Sequence, residues 1–268
     1  MTTQYLYRIP LPLTVDEYQI AQLYTVAEFS KQETGANNGI EVLINEPFNG
    51  DKYPPKSQLL DGSYKAGQYT LKNYYLQDKF PTILLSLIKK DYMTVVENAW
   101  NAYPFCRTVL ENKMVAPEKF QIIIESFHHK DINLKNPHNL KDTSNVTEVT
   151  IDIGDNDYAN YIKVFKQEFD TNLKGLSPKW YENHDTENMM CCYKLVTLTN
   201  NMWFLGILNS HIFSFEEKLF ADFHRRLFCY TDKWRGMTME QIREYEEVTK
   251  RELQDLIKQD TLRGITSQ

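Results

Sequence analysis

The chain has 268 residues, a formal net charge of −6, 25% charged and 42% hydrophobic side chains, and an isoelectric point near 5.6. An acidic balance without a basic stripe argues against nucleic-acid partners and against a charge-driven membrane anchor. The length suffices for a sizeable core, no apolar run reaches about 18 residues, and the polar stretch from Met1 to Tyr7 is not a signal peptide. The expectation is a cytoplasmic chain. Cys106, Cys191, Cys192 and Cys229 lack CxxC spacing, and neighbours on a strand diverge, so reduced thiols are expected.

Tyr5 to Ile9 predicts a first strand, closed by Pro10 and Pro12. Thr14 with Glu17 three residues on forms a capping box, which satisfies free backbone donors at a helix start, and the helix should run to about Ser30. Tyr18, Gln22, Val26 and Phe29 lie near one face, so Gln22 interrupts an apolar stripe: it is either a boundary residue reaching water or a polar group with an interior partner. Gly35 to Gly39 is a turn cluster, Ile40 to Asn45 a strand ending at Pro47, and Phe48 to Gly67 a surface loop rich in Gly, Pro and charge. In the strand from Gln68 to Tyr75, Thr70, Lys72 and Tyr74 share a face. Facing solvent, Lys72 needs no explanation; facing inward, its ammonium needs an anionic or polyhydroxyl partner.

Pro81 starts a helix whose buried side holds Leu84, Leu85, Leu87 and Ile88. Met93 to Asn101 reads as a short helix leading into Tyr103-Pro104, where proline ends it, and the β-favouring run from Phe105 to Leu110 follows. Cys106, Thr108 and Leu110 share one face of that strand. A thiol and a hydroxyl among aliphatics suit an ordinary core with satisfied polar groups, and equally a cavity wall whose occupant has a polar end. Gln121 to Phe127 puts Ile122, Ile124 and Ser126 on one side. His128 and His129 diverge, and with His138 they lack a fourth ligand, so no metal is expected.

Val146 to Ile153 is a further strand, followed by an acidic turn at Gly154-Asp155-Asn156-Asp157 that lacks the pattern of a calcium loop. Tyr158 to Asn188 is loop-rich, with Gly175 and Pro178 as breakers. Met190 to Thr199 aligns Cys192, Lys194, Val196 and Leu198. Met202-Trp203-Phe204, bounded by Asn and Gly, suits a buried anchor or an exposed apolar tip for a membrane or partner. Ser214 with Glu217 predicts a capping box and a helix from Phe215 to Trp234 with Phe215, Leu219, Phe223, Leu227, Tyr230 and Trp234 as its stripe. Gly236 breaks it. Thr238 with Gln241 opens a last helix to about Gln259, whose inward stripe of Ile242, Glu246, Thr249, Leu253 and Leu256 contains a carboxylate that either snorkels out or binds something polar. Strands first and long helices last, without repeat or linker, predict one α+β domain over 1–268: a large, mostly antiparallel sheet with helices over it.

Several long words stand out in this order: Thr14-Val15-Asp16-Glu17-Tyr18-Gln19, Ser30-Lys31-Gln32-Glu33-Thr34-Gly35, Val42-Leu43-Ile44-Asn45-Glu46-Pro47, Gly67-Gln68-Tyr69-Thr70, and above all Trp100-Asn101-Ala102-Tyr103-Pro104-Phe105-Cys106-Arg107-Thr108. Tyr193-Lys194-Leu195-Val196-Thr197, Phe223-His224-Arg225-Arg226-Leu227-Phe228-Cys229 and Asp232-Lys233-Trp234 complete the set. On these words the chain resembles the phosphatidylinositol transfer proteins of the single-domain, class I type over nearly its whole length.

The resemblance implies a START-like helix-grip fold, in which a curved sheet and long helices enclose one molecule of phosphatidylinositol or phosphatidylcholine. It implies that Thr70, Lys72, Asn101 and Glu246 hold the inositol ring, that Gln22, Thr108, Ser126 and Lys194 surround the phosphate, and that Cys106 and Phe223 lie by the headgroup. Ser126 stands where the family has threonine, the Phe48 to Gly67 loop is longer, and Met202-Trp203-Phe204 stands where the family has a membrane-facing Trp-Trp pair. The expected function is a monomeric, non-enzymatic carrier that exchanges the lipid between membranes, transiently associated with them and without a cofactor. Two rivals stand beside it: a presenter of phosphatidylinositol to lipid kinases, and a lipid-acting enzyme with Cys106 as nucleophile.

Overall fold

The computed structural model describes residues 2–34, 38–57, 59–60, 62–76, 94–155, 176–183, 186–202 and 209–266. The helix expected from Pro81, most of the Tyr158 to Asn188 loop, and Trp203 and Phe204 lie outside the described residues.

Eight strands form one sheet: β1 (Thr2–Leu11), β2 (Asn38–Phe48), β3 (Gly67–Leu76), β4 (Thr94–Ala102), β5 (Phe105–Asn112), β6 (Phe120–His129), β7 (Val146–Thr150) and β8 (Met190–Asn200). Their order is β2-β3-β4-β5-β6-β8-β1-β7. Only the β1–β7 pair is parallel. Helix α1 (Val15–Glu33) carries the chain from β1 to the opposite edge. Its 19 residues span about 28 Å, which matches the roughly 29 Å across the six strand spacings it must cross. The capping box at Thr14 and Glu17 forms, with both reciprocal bonds present.

Among the described residues the other α-helices are α2 (Asn209–Cys229), α3 (Thr231–Trp234) and α4 (Met239–Thr266). The main core joins Tyr7, Ile9, Cys192, Val196 and Leu198 of the sheet to Tyr18 and Ala21 of α1, Phe220 and Leu227 of α2, and Trp234. Helix α4 lies against α1 and β2, and its Ile257 is 3.5 Å from where a Cβ on Gly39 would sit. Gly236, at φ +86°, breaks the chain before α4, whose start is capped by Thr238 and Gln241 as expected.

Three expectations need correction. Met93 to Asn101 is not a helix; from Thr94 it belongs to β4, paired along both sides with β3 and β5, and two strand ladders outweigh a weak local helix preference. The helix expected from Phe215 begins at Asn209, so Ser214 and Glu217 lie inside it, and Phe215 is 60% exposed. Leu227, Tyr230 and Trp234 of the expected stripe are buried, but its first half is displaced: Phe213, Glu216, Phe220 and His224 face inward there. Thirdly, the loop from Phe48 to Gly67 is more than a surface excursion. It covers the second face of the sheet: Leu59 is buried, Tyr53 stacks on Tyr69, Tyr64 stacks on Phe105, and Trp100 Nε1 donates to the Tyr53 carbonyl at 2.8 Å.

Glu216 is a carboxyl within an apolar face, with Oε2 unbonded by any described residue. Burial pushes it from an ordinary 4.5 up to about 8. Between those two values the folded chain binds one proton more than the unfolded chain, so stability falls as pH rises through that window. Glu216→Gln should therefore match the native chain near pH 4.5 and exceed it in stability above about pH 8, as read by urea unfolding across the range.

Candidate functional site

Cross-strand partners point to the same side of a sheet, so the register maps the helix-covered face directly. One row across it reads Gln68, Asn101, Cys106, Ser126, Lys194, Tyr7. The next reads Thr70, Ala99, Thr108, Ile124, Val196, and the one beyond begins with Lys72 and Glu97. Thr70, Lys72, Asn101, Cys106, Thr108, Ser126 and Lys194 thus occupy one face in three adjacent rows. Residues far apart in the sequence meet there because the pleat repeats every two residues on every strand.

The helices contribute from above. Gln22 lies one turn beyond Tyr18 on α1, and its Nε2 is buried with no hydrogen-bond partner among the described residues. Glu246 on α4 pairs with Arg243 at 2.5 Å. Burial raises its carboxyl above the usual range, opposed by the charges of Arg243 and Lys72, so Lys72 and Glu246 feel each other across the sheet–helix gap. Thr249, three residues on, is buried with a bare hydroxyl. Phe223 packs edge-on against Phe29 at 6.4 Å.

Two cations divide the site. The Lys72 ammonium is 3.2 Å from Glu97, whose other oxygen accepts from Tyr74 at 2.8 Å. Sequence reasoning missed Glu97, since its helical assignment hid a strand position directly opposite Lys72. The Lys194 ammonium instead donates to Ser126 Oγ at 3.1 Å and sits 5.1 Å from the centre of the Phe220 ring. Among the described residues no carboxylate pairs with it. Asn101 Oδ1 is also buried and unbonded.

The setting of Cys106 disfavours its thiolate. Burial pushes its thiol up to about 12, against the opposing charge of Lys194, and no described imidazole bonds to it. A thiol held protonated has little nucleophilic character. His128 and His129 do take opposite faces, and the described residues contain no cluster of three potential metal ligands. Two grooves, of about 230 and 380 Å³, lie on the other face of the sheet, beside Arg107 and Trp100 and beside Tyr64 and His129 respectively. Neither shares a residue with the inner set.

A mostly antiparallel sheet with long helices over one face, and polar and charged groups gathered on that face, is a START-like α+β arrangement. The phosphatidylinositol transfer protein family model matches residues 2–251. The chain is 38% identical to the phosphatidylinositol transfer protein beta isoforms of Bos taurus and Homo sapiens, over 97% of this chain and of each relative. It is 36% identical to phosphatidylinositol transfer protein 1 of Dictyostelium discoideum, over 92% of both. The chain belongs to the phosphatidylinositol transfer protein family.

Gly67 closes the edge of the site. A Cβ there would fall 2.1 Å from the Asn101 carbonyl oxygen. Gly67→Ala should therefore displace β4 at Asn101 and lower stability by about 1–3 kcal/mol, measured by urea unfolding.

Proposed function

We propose that this chain is a lipid carrier that encloses one phosphatidylinositol or phosphatidylcholine molecule and exchanges it between membranes, supporting phosphoinositide supply. The observation that carries this reading is Lys194: an ammonium on the covered face of the sheet, with a hydroxyl and an aromatic ring beside it and no described counter-charge. A half-buried charge on an apolar face is stabilised by a partner, and a phosphodiester supplies one in both lipids. Thr108, Ser126 and the free amide of Gln22 supply neutral bonds around it. Thr70, Lys72, Asn101 and Glu246 face an inositol ring, whose hydroxyls both donate and accept. A choline group offers no such bonds.

The physical need for a carrier is large. A diacyl lipid exposes on the order of 30 acyl carbons, and at about 0.8 kcal/mol each its unaided desorption would cost roughly 24 kcal/mol. Shelter for both chains and an opening step at the bilayer follow from that number. No described helix is long and apolar enough to cross a membrane. In this reading the chain docks transiently through the apolar Met202-Trp203-Phe204 segment. It works as a monomer in the cytoplasm, without a cofactor.

Native mass spectrometry of the purified protein should show one phospholipid per chain; a lipid-free protein that transfers neither lipid between vesicles would refute the reading. Lys72→Ala should lower phosphatidylinositol transfer by about tenfold or more, since each unpaired buried group costs about 1–3 kcal/mol, while phosphatidylcholine transfer persists. Joint replacement of Trp203 and Phe204 by alanine should abolish transfer and leave the bound lipid in place, as read by vesicle transfer and lipid extraction in parallel.

A further inference from the structure

Beside the phosphate group of residues lies a second buried polar cluster that the reading above does not use. It consists of Tyr18 on α1, His224 on α2, and His128 and Cys192 on neighbouring positions of β6 and β8. His224 is fully saturated. Its Nδ1 lies 2.7 Å from the Phe220 carbonyl, which can only accept, so Nδ1 carries the proton and Nε2 accepts from the Tyr18 hydroxyl at 3.0 Å. Tyr18 Oη also lies 3.7 Å from Cys192 Sγ. His128 differs. It is 1% exposed, its ring is flanked by Tyr18 at 4.6 Å and Tyr103 at 5.2 Å, and neither of its nitrogens has a hydrogen-bond partner among the described residues.

Register shows where that bare imidazole lies. His128 is one pleat beyond Ser126 on the same face, a step of about 7 Å along the strand. Tyr18 is one turn before Gln22 on α1, a step of about 5–6 Å. Tyr18 packs on the His128 ring, His128 pairs across the strands with Cys192, two residues from Lys194 on the same face of β8, and the Lys194 charge reaches the imidazole. The imidazole therefore borders the position assigned to the lipid phosphate. Burial, with the nearby charges of Lys194 and His224, holds it neutral, opposed by the Pro104 carbonyl near the ring, to which neither nitrogen is hydrogen-bonded; a neutral imidazole has one N–H to give. A phosphodiester has only acceptors to meet it.

We propose that His128 is a further phosphate-binding residue, donating its one ring N–H to a phosphodiester oxygen of the carried phospholipid beside Lys194 and Ser126. This rests on the carrier reading. The bond falls on the part that phosphatidylinositol and phosphatidylcholine share, so His128 sets retention of both lipids and not the choice between them. In this it differs from Lys72 and Glu246.

The test compares full-length native protein with His128→Phe, which keeps a ring between Tyr18 and Tyr103 but has no donor, and His128→Gln, which restores an N–H. Transfer of phosphatidylinositol and of phosphatidylcholine between vesicles is measured for each, together with the phosphorus NMR signal of bound phosphatidylcholine. His128→Phe should lower transfer or retention of both lipids about tenfold or more, the strength expected of a bond to a charged group, with the ratio between lipids unchanged; His128→Gln should recover most of the loss. In the lipid-loaded native protein an imidazole N–H should correlate with the phosphorus nucleus, which needs no variant to fold. Native-like handling of both lipids by His128→Phe, loss confined to phosphatidylinositol, or a phosphorus signal without that correlation would each overturn the proposal while the carrier reading stands. A native protein that carries no phospholipid would overturn the carrier reading itself.

Discussion

A lysine ammonium partly withdrawn from water on an otherwise apolar sheet face gains from a counter-charge, and the half-buried Lys194 imposes that condition on its surroundings. Strand β8 delivers it to the covered face because its neighbours in the stripe, Cys192, Val196 and Leu198, are core residues with no exposure. Ser126 and the Phe220 ring supply partial stabilisation. Burial, added to by the same positive charge, holds His128 and His224 neutral, so the cluster around it offers neutral donors and a single cation. Such a set suits one phosphodiester.

Lys72 obeys the opposite logic. Its charge is already met by Glu97, and Tyr74 steadies that carboxylate. A neutralised pair with spare lone pairs and protons suits a polyol better than an anion. Glu246, arriving on α4 with its own Arg243, closes this end from above. The proposed division of labour between a phosphate end and a polyol end therefore follows from which lysine has a carboxylate beside it.

Several of these residues were legible as irregularities. Gln22 and Glu246 each break an apolar helical stripe, and Thr70 and Lys72 share a strand face by simple alternation. Helix starts marked by Thr14 and Thr238 were readable because a cap is a local hydrogen-bond pattern. Glu97 was not readable, since Glu97-Asn98-Ala99-Trp100 is compatible with a helix until β3 and β5 pair on either side of it. Ser214 with Glu217 matched a cap that the helix runs through. The true inward face of α2 was disguised by Glu216 and His224, polar residues that an apolar-stripe search passes over. His224 earns its buried place only through Tyr18 and the Phe220 carbonyl, neither of which is adjacent in sequence terms that a pattern would flag.

Local chemistry alone determined the strand periods, the two cap-marked helix starts, the α+β class and the polar residues that sit uneasily in apolar stripes, because each depends on neighbours within a few positions. What only the tertiary structure decided is which of those residues share a surface. That choice depends on inter-strand register, on a helix long enough to cross the sheet, and on the loop that covers the second face and leaves the first to the helices. Register couples positions more than a hundred residues apart, such as Tyr7 with Lys194, and no short-range preference along the chain encodes it.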